Sequence, residues 1–139
     1  MIDPATRTAI EELIVDFAWR IDHQQGHGVE ELFHDDGEYV LFGYPVQGRA
    51  AIKALYAHRR SSGARTSRHL FSNVHITAAD DATIHAVSVL TLHAADGLPP
   101  LPLPALMIAD YDDVISRGPD GRWRFARRTT TVLFQATDS

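Results

Sequence analysis

The sequence predicts an α+β fold: a curved, mixed or antiparallel sheet packed on three N-terminal helices. Three observations carry this expectation. Up to Ser61, apolar residues recur at helical spacing in three separate segments. After Ser61 the chain consists of long β-forming runs separated by turn residues. One of those runs, Ser67–Ile76 (S-R-H-L-F-S-N-V-H-I), carries two histidines and an asparagine where a core strand normally carries valine and isoleucine. Helices followed by meandering strands form the α+β pattern. The chain of 139 residues suits one domain, residues 1–139, with one hydrophobic core.

Composition narrows the function classes. Hydrophobic residues make up 45% and charged residues 22%, as in an ordinary globular protein. Thirteen basic and 18 acidic residues give a formal charge of −5, which argues against a nucleic-acid partner. There is no cysteine, so disulfides, thiolate metal sites and cysteine nucleophiles are excluded. The start M-I-D-P-A-T-R-T lacks the pattern of a signal peptide, and no apolar run nears the ~18 residues that span a membrane. A cytoplasmic protein without membrane contact is expected.

Asp3 is a capping acid and Pro4 a first-turn proline, so a first helix is predicted from Pro4 to Gln24. Ile10, Leu13, Ile14, Phe17, Ala18 and Ile21 form its apolar stripe, and Gly26 and Gly28 end it. Asp22 lies at the edge of that stripe, one turn after Ala18. Val29–His34 reads as a second short helix, and Asp35-Asp36-Gly37 as a turn. Glu38–Phe42 is a short strand, and Gly43-Tyr44-Pro45 reverses the chain before a brief pairing of Val46 and Gln47. Arg49–Ser61 is the third helix, with Ile52, Leu55 and Tyr56 turned inward.

Four strands follow. The histidine strand comes first and runs to Thr77; Asp80-Asp81 turns the chain into Ala82–Ala95. Leu98–Pro104 holds four prolines and cannot maintain a ladder. Ala105–Ser116 is the third strand, Gly118–Gly121 a hairpin turn, and Arg122–Gln135 the fourth.

Alternate strand residues share a face. Alternation puts His69, Phe71, Asn73 and His75 on one side, unless a bulge breaks the pattern past Asn73. Such a row is costly to bury without partners. It either meets water or lines a pocket. On the next strand His85, Val87, Val89, Thr91 and His93 share a face. The arginines 122, 124, 127 and 128 oppose Asp110, Asp112 and Asp113 across the sheet, and read as a solvated or interface surface.

Several stretches together resemble the nuclear transport factor 2-like superfamily, and within it the SnoaL-like group with its relatives polyketide cyclase, scytalone dehydratase and ketosteroid isomerase. They are I-E-E-L-I-V-D-F-A-W-R-I-D, E-E-L-F-H-D-D-G-E-Y, G-R-A-A-I, R-H-L-F-S-N-V-H-I and Y-D-D-V-I-S-R-G-P-D-G-R-W-R-F-A-R-R. The resemblance implies a cone-shaped sheet enclosing a cavity. It implies that Asp22 is the acid inside the cone, that His69 is its histidine partner, and that His93 falls close to a second catalytic histidine. It also implies a homodimer joined through sheet faces. The sequence departs from the dehydratase pattern where Phe17 and Ile21 stand in place of tyrosines.

A carboxylate beside an imidazole fixes its tautomer and orients the ring as a base. Asp22 and His69 in an apolar cavity would remove a proton next to a carbonyl, giving a dehydration, isomerisation or cyclisation of a hydrophobic ring compound. His93 would act as acid or oxyanion donor. The other reading makes Asp22 a solvated helix-end residue, His69 a hydrogen-bonded structural histidine and His93 an exposed one. Phe17, Trp19, Tyr44, Tyr56, Phe71, Asn73 and Tyr111 are the candidate substrate-binding residues; each also suits a structural role. Eight histidines show no H-x-H or H-E-x-x-H spacing, so no metal is expected. No glycine-rich phosphate loop and no G-x-S-x-G context appear, so no cofactor and no serine nucleophile are expected. The rival function is a non-catalytic protein that binds a small molecule or assembles with a partner.

Overall fold

A computed structural model describes residues 2–103 and 106–136. The Asp3 carboxylate accepts the Thr6 backbone N–H at 2.9 Å, and Pro4 opens helix α1, Pro4–Gln24, as the sequence predicts. At its far end Gln25 and Gly26 adopt positive φ (55° and 80°) and turn the chain out of the helix. Gly26 has a second duty. A Cβ there would sit 2.5 Å from Cδ1 of Tyr56, so the absent side chain lets that ring pack on the backbone.

The second predicted helix is a correction. Val29–Leu32 makes a single 3₁₀ turn, leaving two α-helices among the described residues. Phe33 is drawn into strand β1 (Phe33–Leu41), fully buried and in register with Phe125. One turn of helix cannot compete with that burial and ladder pairing. Asp35-Asp36-Gly37 therefore lies within β1, where a break in register between Phe33 and Glu38 absorbs it as an irregularity. Strand β2 (Tyr44–Gln47) pairs back on β1, and helix α2 spans Arg49–Ser61 as expected.

Strands β3 (Arg65–Ala79), β4 (Thr83–Asp96), β5 (Met107–Arg117) and β6 (Trp123–Gln135) complete a sheet of order β2-β1-β6-β5-β4-β3. All neighbours are antiparallel except β1 and β6, which run parallel, so the sheet is mixed. Pro104 and Ala105, expected at the end of the proline loop and the start of a strand, lie outside the described residues. Register shifts in β3, and between β5 and β6, add bulges that bend the sheet.

On the inner face, α1 lays Ile10, Leu13, Ile14 and Phe17 into the core. Phe17 meets Tyr39, Tyr111 and Phe125 edge-on, with ring centroids 5.7, 6.1 and 5.9 Å away. The arginine strand needs a second correction. Asp113 and Arg128 do pair across the sheet, but both are fully buried, with Arg128 Nε 3.2 Å from Asp113 Oδ1. The guanidinium is stacked on Tyr111, 3.4 Å from the ring centroid, and flanked by Phe17 and Phe125. A bulge at Ala126 explains why a run of arginines puts one inside: Val114 pairs with Arg127 but Ile115 with Phe125, so Phe125 and Arg128 both face inward. Among the described residues no helix is long and apolar enough to cross a membrane.

Candidate active site

Asp22 projects from the last turn of α1 toward β3, where Ser67 and His69 share the inner face. Its carboxylate is gripped by three donors. Ser67 Oγ–H donates to Oδ1 at 2.8 Å, and the His69 backbone N–H donates to Oδ2 at 2.7 Å. His69 Nδ1 lies 2.7 Å from Oδ1. The Asp22 side chain is 5% exposed and that of His69 12%. Burial pushes the Asp22 carboxyl up, but the hydrogen bonds and charge of His69, with the Ser67 hydroxyl, outweigh it and hold the group below its ordinary value. An ionised carboxylate assigns the proton to Nδ1, and Nε2 is left as the lone-pair nitrogen; no protein group among the described residues bonds it.

His69 and Asp22 border a cavity of about 490 Å³. Leu90, Leu92, Met107 and Leu106 form an apolar wall; Tyr39, Tyr56 and Tyr111 supply phenols; Arg59, Arg60 and Arg65 also line it. Among the described residues the buried Tyr56 hydroxyl has no partner in good hydrogen-bond geometry, with the Tyr39 phenol beside it. Burial raises the Tyr56 and Tyr111 phenols well above their ordinary value, with the neighbouring Tyr39 adding to the effect. Both therefore stay protonated donors at neutral pH.

The remaining predicted residues separate into two groups. Tyr56 and Tyr111 line the cavity, whereas Phe17 sits deeper, in the aromatic core. His93 is a correction. In the β3–β4 ladder His69 pairs with Leu92, so Leu92 faces inward and His93, one residue on, faces outward opposite Arg68. Asn73 is another: it adopts φ 54° at the bulge between Ser72 and His75 and is exposed. Past that bulge Val74 and Ile76 turn inward and His75 outward. Trp19 is 52% exposed and stacks on His23, 4.0 Å between ring centroids, because it lies on the solvent side of α1. Tyr44 is 76% exposed on β2; its neighbour Phe42, at φ 53°, borders the cavity in its place. Phe71 packs half-buried against the core and does not reach the cavity. Leu98, from the proline loop, does.

Sequence reasoning gave no role to Ser67, Tyr39, Arg59 or Arg60. A signal existed for Ser67, two residues before His69 and hence on its face. Among the described residues no three metal-ligating side chains come together.

The SnoaL-like domain family model matches residues 4–129, and the chain belongs to that family. None of the curated proteins matches it in sequence. A putative scytalone dehydratase from Novosphingobium aromaticivorans has a similar structure, with TM-score 0.82 and 21% identity over 97% of this chain and 89% of that one. A protein from Catenulispora acidiphila in complex with S-DNPA has TM-score 0.79 and 20% identity over 94% and 95%. An NTF2-like protein with a cystatin-like fold, also from N. aromaticivorans, has TM-score 0.74 and 26% identity over 91% and 81%. The α+β fold expected from the sequence is that of the NTF2-like proteins, with two α-helices among the described residues in place of the three expected.

Proposed function

We propose that the protein is a cofactor-independent enzyme that removes a proton next to a carbonyl on a hydrophobic ring compound, leading to dehydration, isomerisation or cyclisation. The Asp22–His69 contact of 2.7 Å, beside a cavity with one apolar wall of Leu90, Leu92, Leu106 and Met107, carries this reading. His69 Nε2 would take the proton from carbon. The electron pair of that C–H bond forms a carbon–carbon double bond and the carbonyl π pair moves onto oxygen, giving an enolate. Asp22 stays ionised, holds the ring in place and balances the imidazolium charge. Tyr56, with its unpartnered hydroxyl, would donate to the enolate oxygen, and Tyr39 or Tyr111 would assist. The imidazolium then returns its proton, either to another carbon or to a departing hydroxyl that leaves as water. His93 has no part in this scheme, because it faces away from the cavity. The complex of the Catenulispora protein with S-DNPA supports a small-molecule ligand for this fold.

The test needs no knowledge of the natural substrate. 2-Tetralone, a hydrophobic ring ketone, is incubated in D2O, and deuterium entry next to the carbonyl is followed by NMR. Acceleration by the wild type that is lost in His69→Ala supports the reading. A ligand-binding protein without catalysis would give no acceleration by either.

We also propose a homodimer. Leu70, Thr91, Ile108 and Phe134 pair in a row across β3, β4, β5 and β6 on the outer face, and Leu70, Ile108 and Phe134 are exposed. Burying this row against a second copy would remove apolar surface from water. Sedimentation should report a dimer for the wild type and a monomer for Leu70→Glu/Ile108→Glu; a monomeric wild type would rule this out.

A further inference from the structure

The cavity has an unbalanced charge at its mouth. Gly63, Ala64 and Arg65 are among its exposed lining residues and stand at its mouth, and Arg59 and Arg60, just before them in the chain, line it too. Both of these arginines are half-buried. Arg60 Nη1 donates to the Gln25 carbonyl at 3.1 Å, and the Arg59 guanidinium lies 5.1 Å from the Tyr56 ring centroid. Among the described residues neither meets a carboxylate. Arg65 is paired with the exposed carboxylate of Asp96, its cross-strand neighbour, 3.6 Å away. Among the described residues the one carboxylate lining the cavity is Asp22, already committed to His69 and Ser67. Arg59 and Arg60 also fall in the last turn of α2, where cations suit the helix dipole. That accounts for their charge, and not for two guanidinium groups lining the cavity beside its apolar wall with no carboxylate partner among the described residues. Partial burial of a cation is costly unless an anion meets it, and guanidinium forks match carboxylates well.

We propose that the ligand of this cavity is an aromatic or alicyclic carboxylate, its carboxylate held at the mouth by Arg59 and Arg60 and its ring lying against Leu90, Leu92 and Met107. This names the substrate class for the site described above and rests on that cavity being the ligand site. The arrangement sets direction: the charged end stays at the mouth while the ring is carried toward His69 and Tyr56. It also favours a carboxylate over a neutral ring of the same size, without shutting the neutral ring out.

The probes are 2-naphthylacetic acid and its neutral methyl ester, titrated calorimetrically at neutral pH. The wild type should bind the acid about tenfold more tightly than the ester, the scale of one charge-assisted contact. Arg59→Gln/Arg60→Gln should abolish the difference, and Arg59→Lys/Arg60→Lys should keep part of it. Circular dichroism checks that each variant is folded; should the double glutamine variant unfold, Arg60→Gln alone should reduce the preference. Equal binding of acid and ester by the wild type overturns the proposal, as does a preference retained in the glutamine variant, or no binding of either probe at millimolar concentration. His69→Ala should retain the acid preference. Failure of the proton-transfer chemistry would thus leave this result standing, and failure here would leave the deuterium result standing.

Discussion

Asp22 holds His69 at two points: Oδ1 lies 2.7 Å from the ring nitrogen Nδ1, and Oδ2 accepts the backbone N–H of the same residue at 2.7 Å. One carboxylate thus fixes both the ring and the strand that carries it. This double grip leads to a spectroscopic prediction. In its neutral form His69 should carry its proton on Nδ1, which long-range ¹H–¹⁵N correlation spectra report directly. Asp22→Asn should give a mixture of tautomers or the Nε2–H form. An Nε2–H tautomer in the wild type would contradict the assignment.

The same grip ties stability to pH. The folded protein holds the Asp22 carboxyl below its ordinary value of 3.8, so below that pH the unfolded chain binds more protons. Stability contributed by Asp22 is then present above about pH 4 and is lost as pH falls through the folded value. The difference in Tm between wild type and Asp22→Asn should be larger at pH 7 than at pH 3. A difference that does not change with pH would show that the carboxylate is not held in its charged form.

Asp113 behaves in the opposite sense. Burial pushes its carboxyl up, Arg128 pulls it part of the way back, and the result is about 6. A folded value above 3.8 means the folded state binds more protons between the two values. This group's contribution is therefore full below pH 3.8 and is lost as pH rises through about 6. Asp113→Asn should remove that downward slope from the stability profile. Arg128→Met leaves a buried carboxylate without its partner and should cost about 3–5 kcal/mol at pH 8, less at pH 5. Arg128→Met/Asp113→Leu should recover much of that loss. Urea unfolding measures all three; a single variant as stable as wild type at pH 8 would mean the pair is not buried as described.

The difference between what was legible in the sequence and what was not follows a physical line. Capping at Asp3 and the heptad-like stripe of α1 depend on local chemistry, and both helix ends fell where the residues placed them. The resemblance paired Asp22 with His69, while counting along α1 and β3 put Asp22 at the edge of the apolar stripe and His69 on one strand face. Counting failed wherever a bulge intervened. Asn73 left the inner face because the bulge around it inserts a residue at positive φ. Arg128 entered the core because the strand bulges at Ala126. His93 failed differently: it pairs with Arg68, one residue along from the inward-facing Leu92, and so lies on the other face. Phe33 joined the sheet because a parallel pairing with β6 is a long-range event that no local propensity encodes.

The central claim is that His69, oriented by Asp22, removes a proton from carbon. Its most direct measurement is the rate of deuterium entry into 2-tetralone for wild type, Asp22→Asn and His69→Ala at one neutral pH, with each protein shown to be folded. General-base catalysis is worth about 10²–10⁴-fold. The account predicts a clear wild-type rate, a drop of about that size in His69→Ala to the uncatalysed rate, and an intermediate rate in Asp22→Asn. Exchange by His69→Ala as fast as by wild type would contradict it.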